Sequence, residues 1–117
     1  MQLINLTPHP ITIALSNDTF IVPTCNKIAR VSTKKDLLKT IIINDVEVPI
    51  YFTTFGEVEL TSSDGSIEEF PEQKAGVLYI VSSIVKNAMM DRADVVVPTE
   101  FIRDDVGNII GCKGFSI

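Results

Sequence analysis

The side chains best suited to specific chemistry in this chain are its arginines and its single histidine. Arg30, Arg92 and Arg103 are the only arginines among ten cationic residues. A guanidinium offers a planar fork of donors that grips phosphate or carboxylate with two hydrogen bonds and also stacks on rings. His9 is the only histidine, so an imidazole acting as general base near neutral pH must be His9. It lies in the run Thr7-Pro8-His9-Pro10. Each proline fixes its own φ and biases the residue before it toward extended backbone, so Thr7 and His9 sit on a rigid elbow. Ser82 and Ser83 precede a segment with helical spacing, where free backbone N–H groups suit an anion. Tyr79 and Phe101 are candidates for stacking on a base. Thr7, His9, Arg30, Tyr79, Ser82, Arg92 and Arg103 are therefore the candidate ligand-binding residues.

Each has a plainer role to weigh against this. Asp91 and Asp94 flank Arg92, which makes a local ion pair natural there. Arg103 precedes Asp104 and Asp105, and Arg30 alternates with Ile28 along a strand. Ser82 could simply cap its helix, His9 could serve only to fix the elbow, and both aromatic rings could be core.

Most familiar catalytic signatures are missing. There is no G-x-x-x-x-G-K-[ST] or G-x-G-x-x-G phosphate loop, no H-E-x-x-H and no G-x-S-x-G. Cys25 and Cys112 are far apart and form no C-x-x-C, and with one histidine they cannot supply a zinc set. They read as reduced thiols of small, half-buried side chains. Pairing either with His9 would fit nucleophilic catalysis, yet neither carries a local signature for it. No metal, cofactor or catalytic residue is expected.

The elements that must hold these residues are mostly strands. Met1–Leu6, Ile11–Leu15 and Thr19–Val22 read as a strand followed by a hairpin about Ser16-Asn17-Asp18. Lys27–Ile43 reads as one long strand with three β-branched residues at its end. Asn44-Asp45 turns it into a partner over Val46–Thr54, and Phe55-Gly56-Glu57 closes the hairpin. Residues 60–76 read as a long acidic loop, with Ile67 and Phe70 as its anchors. Val77–Val81, a helix over about 83–90 and Val95–Val97 form a strand–helix–strand unit whose strands should be parallel. A last hairpin runs from Phe101–Asp104 through Val106-Gly107-Asn108 to Ile109–Cys112. The expected fold is α+β, mainly β, with several antiparallel hairpins and one short helix in a single domain over 1–117.

Composition agrees with that picture. Of 117 residues, 45% are hydrophobic and 21% charged, enough apolar surface for a folded core. No apolar run approaches the roughly 20 residues of a membrane helix, and no basic start precedes an apolar stretch, so neither a membrane nor a secretory route is expected. The net charge is −5, and six acids with no Lys or Arg fall between Glu57 and Glu72. Without those six, ten cations face nine acids, or +1. The balance argues against a nucleic-acid polymer as partner while leaving room for a small basic pocket.

Several runs in order resemble a set of small, largely uncharacterised phage and prophage proteins. They are Ile4-Asn5-Leu6-Thr7-Pro8-His9, Ala29-Arg30-Val31, Phe55-Gly56-Glu57-Val58-Glu59, Tyr79-Ile80-Val81-Ser82, Arg92-Ala93-Asp94-Val95 and Arg103-Asp104 through Gly111-Cys112. Leu60–Phe70 departs from the compact loop expected there. The resemblance implies a phage setting and a place in the host cytoplasm, and it implies no activity. Small acidic phage proteins include oligomeric sponges that hide nucleotide-derived immune signals.

Three functions are compatible with these residues. One is non-catalytic sequestration of a phosphate-bearing small molecule, with the chain as a homo-oligomer. The second is a structural or host-protein-interaction module that uses the acidic segment. The third is a nucleotide-processing enzyme built on His9. The exposed strand edges of a mostly β chain favour self-association.

Overall fold

A computed structural model describes residues 1–117. Nine strands and one helix follow in order: β1 (Gln2–Asn5), β2 (Ile11–Ala14), β3 (Thr19–Val22), β4 (Lys27–Ile43), β5 (Val46–Ser62), β6 (Ile67–Glu69), β7 (Val77–Ile80), α1 (Ser83–Ala88), β8 (Val95–Arg103) and β9 (Ile109–Ser116). The fold is α+β and mainly β, as the strand patterning predicts.

Six strands form one sheet in the order β1-β7-β8-β9-β2-β3, and β4, β5 and β6 form a second. The predicted strand–helix–strand unit is present, and β7 pairs parallel to β8. Period-2 alternation sends neighbouring residues of these central strands to opposite faces. Tyr79, Val81 and Val95 join Leu6, Ala29, Leu60, Val85 and Met89 in one core cluster. Ile80 and Val96 join Ile13, Val22 and Cys112 in the other. The helix and the base of the β4–β5 hairpin therefore cover one face of the sheet. The other face is filled by the sheet's own curl, and its two ends approach each other at Asn5, which bridges to Thr24.

The helix and three strand boundaries depart from the sequence reading. The helix ends at Ala88 rather than near 90, and Met89 continues as a turn. The long hairpin does not end at Phe55-Gly56-Glu57. A bulge between the Val31 and Thr33 pairings absorbs those residues, and β5 runs on to Ser62 against Lys27. The span 60–76 is not one open loop. Ile67–Glu69 adds an antiparallel strand against Glu59–Thr61. Of its two expected anchors, Phe70 packs on the core and Ile67 points to solvent. Pro98 interrupts nothing, because β7 pairs with β8 only through Val96 and that edge is open at the proline.

The Asn44-Asp45 turn forms as expected. Both residues have positive φ, 50° and 65°, the mirror-image turn whose twist matches that of the strands it joins. Beyond Val31 and Val58 the β4–β5 ribbon leaves the body, and the molecule measures 56 × 39 × 28 Å.

Candidate functional site

The Thr7-Pro8-His9-Pro10 elbow is held from beneath by Asn5, which is buried at the end of β1. Its Nδ2 donates to the carbonyls of His9 (2.8 Å) and Val22 (3.3 Å). Its Oδ1 accepts from the Thr7 amide (2.9 Å) and the Thr7 hydroxyl (2.6 Å). The same hydroxyl lies 3.0 Å from the His9 carbonyl. Its one proton is shared between two acceptors of the chain, so toward a ligand Thr7 Oγ1 can only accept. Thr7 shapes the elbow, and a phosphate there must find its donors elsewhere.

Those donors lie across a cleft of about 280 Å³ between the elbow and the base of the long hairpin. Ten residues line it and only Ile28 is hydrophobic. Thr24, Asn26, Thr61, Ser62 and Ser63 supply hydroxyls and an amide, Arg30 supplies charge, Lys27 borders the cleft with its ammonium turned to Glu68, and no carboxylate is among the ten. Asn26 has φ 66°, a left-handed turn that starts β4. The ion pairs of the structure are Lys27–Glu68, Lys34–Asp36 and Arg92–Asp94. Arg30 makes none of these close ion pairs, and Glu59 sits opposite it in the β4–β5 register. The hydrogen bond to Glu68 holds the Lys27 ammonium above its ordinary value.

A second cleft of about 250 Å³ adjoins the first and shares Thr7, Pro8, Ile28 and Arg30 with it. Its remaining wall is mainly apolar: Leu6, Ala29, Val31, Ile84 and Val85, with Ser82 at the edge. The Ser82 hydroxyl makes no capping bond to the helix it precedes. Arg30 thus borders both a hydrophilic and an apolar compartment.

The seven candidate residues divide accordingly. Thr7, Arg30 and Ser82 border these two clefts, and the other four lie elsewhere. The imidazole of His9 is exposed on the elbow outside both linings. Tyr79 is 4% exposed and meets Phe70 edge-on, with centroids 5.4 Å apart. Arg103 donates to the Gly107 carbonyl (2.8 Å), closing the turn between β8 and β9.

Arg92 is fully engaged in structure. Its Nε and Nη2 grip both oxygens of Asp94 at 2.7 and 2.6 Å. Nη2 also donates to the Pro71 carbonyl (3.1 Å), and the guanidinium lies 5.3 Å from the Phe70 ring centroid. The Arg92 hydrogen bonds hold the Asp94 carboxyl below the usual carboxylate range. Lys86, also buried, donates to the Arg92 carbonyl at 3.2 Å. One guanidinium thus ties the acidic segment to the β8 entry.

Sequence reasoning missed Thr24, Asn26, Lys27, Ser62 and Ser63. Their cleft forms only when the two ends of a long hairpin meet, and nothing local marks it. Neither cysteine belongs to it: Cys112 is core and Cys25 is exposed outside the lining. No group of His, Cys, Asp and Glu is arranged to hold a metal ion. No helix is long and apolar enough to cross a membrane.

Comparison of the chain with protein-family models, curated proteins and solved structures returns no match.

Proposed function

We propose that this chain binds a phosphate-bearing small molecule, of nucleotide type, at the paired clefts and holds it without chemical change. The observation that carries the reading is Arg30. It is an arginine outside the close ion pairs of the structure, set between a polar cleft lined by no carboxylate and an apolar one. An anion in the polar cleft would meet the Arg30 fork and several hydroxyls. A ring in the adjoining cleft would rest on Ile28, Val31 and Ile84. Each cleft is near the lower end of small-molecule sites, about 300–1,000 Å³, and the pair suits a ligand with one charged and one flat end. Sequestration is favoured over turnover because neither His9 nor a thiol lines either cleft, so neither is placed to act as base or nucleophile there. The resemblance to phage proteins gives that capacity a setting, a sink for a nucleotide-derived immune signal in the host cytoplasm.

Calorimetric titration with cyclic dinucleotides, cyclic trinucleotides, cyclic ADP-ribose isomers and inorganic phosphate tests the reading. We expect one nucleotide class to bind, and Arg30→Gln to weaken it at least about tenfold, since one charge-assisted hydrogen bond is worth roughly 1.5–3 kcal/mol. Arg103→Gln should leave it unchanged. Flat heats across the panel, or binding indifferent to Arg30, would reject the reading.

A further inference from the structure

The paired clefts lie where the β4–β5 ribbon leaves the body as an arm from Thr33 to Phe55. They hold little positive charge for a phosphate site, and that decides which phosphate fits. Across both linings the charged residues are Lys27 and Arg30. The Lys27 ammonium is turned to Glu68, so its charge is already matched. Arg30 is the one cation left to an incoming anion, and its neighbours in the sheet are acids. Glu59 pairs with Arg30 across β4 and β5, and Glu69 pairs with Glu59 across β5 and β6. Residues directly opposite in a sheet share a face, with Cβ atoms about 4.5–5.5 Å apart. The guanidinium therefore belongs to a row of one positive and two negative charges. Thr24, Thr61, Ser62 and Ser63 add only neutral donors. A hydroxyl bonds a phosphate oxygen without offsetting a second charge.

Nucleotide phosphates differ in charge. An isolated phosphodiester carries one negative charge at neutral pH. Its two non-bridging oxygens match the two parallel N–H bonds of one guanidinium. A terminal phosphomonoester carries about −1.5 to −2 at pH 7. A pyrophosphate bridge sets two charges side by side. In this cleft the extra charge would meet no second cation and would lie toward Glu59, where like charges repel. A site discriminates by what it withholds as well as by what it offers. We propose that the paired clefts select a nucleotide whose phosphate is an isolated phosphodiester, and reject terminal phosphates and pyrophosphates. Glu59, and Glu68 acting through Lys27, set that selection. This rests on the ligand reading above and narrows it.

Calorimetric titration of the full chain near neutral pH with matched ligands tests it. The pairs are 3′,5′-cyclic mononucleotides against the 5′-monophosphates of the same bases, and cyclic dinucleotides against their linear, 5′-phosphorylated forms. Cyclic ADP-ribose represents the pyrophosphates. The cyclic diester of a pair should bind at least about tenfold more tightly, the size of one unfavourable charge contact near a protein surface. Methyl esterification of the linear form's terminal phosphate returns it to one charge and should recover most of that loss. Glu68→Gln frees the Lys27 ammonium, and Glu59→Gln removes the acid opposite Arg30. Each should strengthen binding of the linear form more than of the cyclic one, narrowing the ratio at least about threefold. A linear or pyrophosphate ligand that binds as tightly as any diester would overturn this selection and leave the ligand reading standing. So would a ratio that methylation and both substitutions leave unchanged. Flat heats with every ligand would overturn both.

Discussion

Arg92 shows why residue type alone does not make a site. Its flanking Asp91 and Asp94 are visible in the sequence, and the pair with Asp94 forms. Its other partners, the Pro71 carbonyl and the Phe70 ring, come from about twenty residues away and leave no local trace. Asp94 is nearly fully buried, so removing Arg92 strands a carboxylate in the core. Arg92→Gln should cost about 3–5 kcal/mol in denaturant unfolding. The pH dependence should change as well. A carboxyl held low in the folded state stabilises above its unfolded value, about 3.9, and that contribution fades as pH falls through the lowered folded value. Wild type should therefore lose this contribution as pH falls below about 4. In Arg92→Gln the buried acid has no partner and prefers its proton, so the loss should shrink or reverse. Equal slopes in the two proteins would contradict the assignment. Arg30 is the opposite case. It alternates with Ile28 as any strand arginine would, and only the three-dimensional structure shows it bordering two clefts. Lys27, Ser62 and Ser63 were illegible for the same reason.

At the level of elements, what could be read ahead was what depends on neighbours in sequence. The Asn44-Asp45 turn, the β-branched end of β4 and the apolar run of β7 each carry their own local cause. The β6 strand does not. Ile67-Glu68-Glu69 is three residues in a polar stretch, and its strand state comes from the β5 edge it pairs with. The continuation of β5 past Gly56 was hidden by a bulge that looked like a stop. This segment is held by a short ladder, by Phe70 on Tyr79 and by Arg92 on Pro71. Phe70→Ala removes the ring's contacts with Tyr79 and with the Arg92 guanidinium. It should leave the β7–β8 amides protected from hydrogen exchange while residues 63–75 exchange faster and are cut first in limited proteolysis. Uniform loss of protection would mean that Phe70 belongs to the global core.

On the scale of the whole molecule, the net charge of −5 conceals a division of labour. Acids collect along β5, β6 and the turn between them, where Asp64 is held low by its Ser66 hydrogen bonds and Glu68 is tied to Lys27. The cleft beside them holds Arg30 and several hydroxyls, and the arm is neutral overall. A small curled sheet thus carries a hydrophilic cleft at the arm's base and exposed apolar side chains along the arm. The cleft is proposed to retain a nucleotide-like molecule unchanged. Native mass spectrometry of protein purified from cells that express cyclic-nucleotide and cyclic ADP-ribose synthases tests it most directly. We expect an added mass on wild type that denaturation releases intact and that Arg30→Gln lacks. A bare protein mass from such cells, or a chemically altered product, would contradict it.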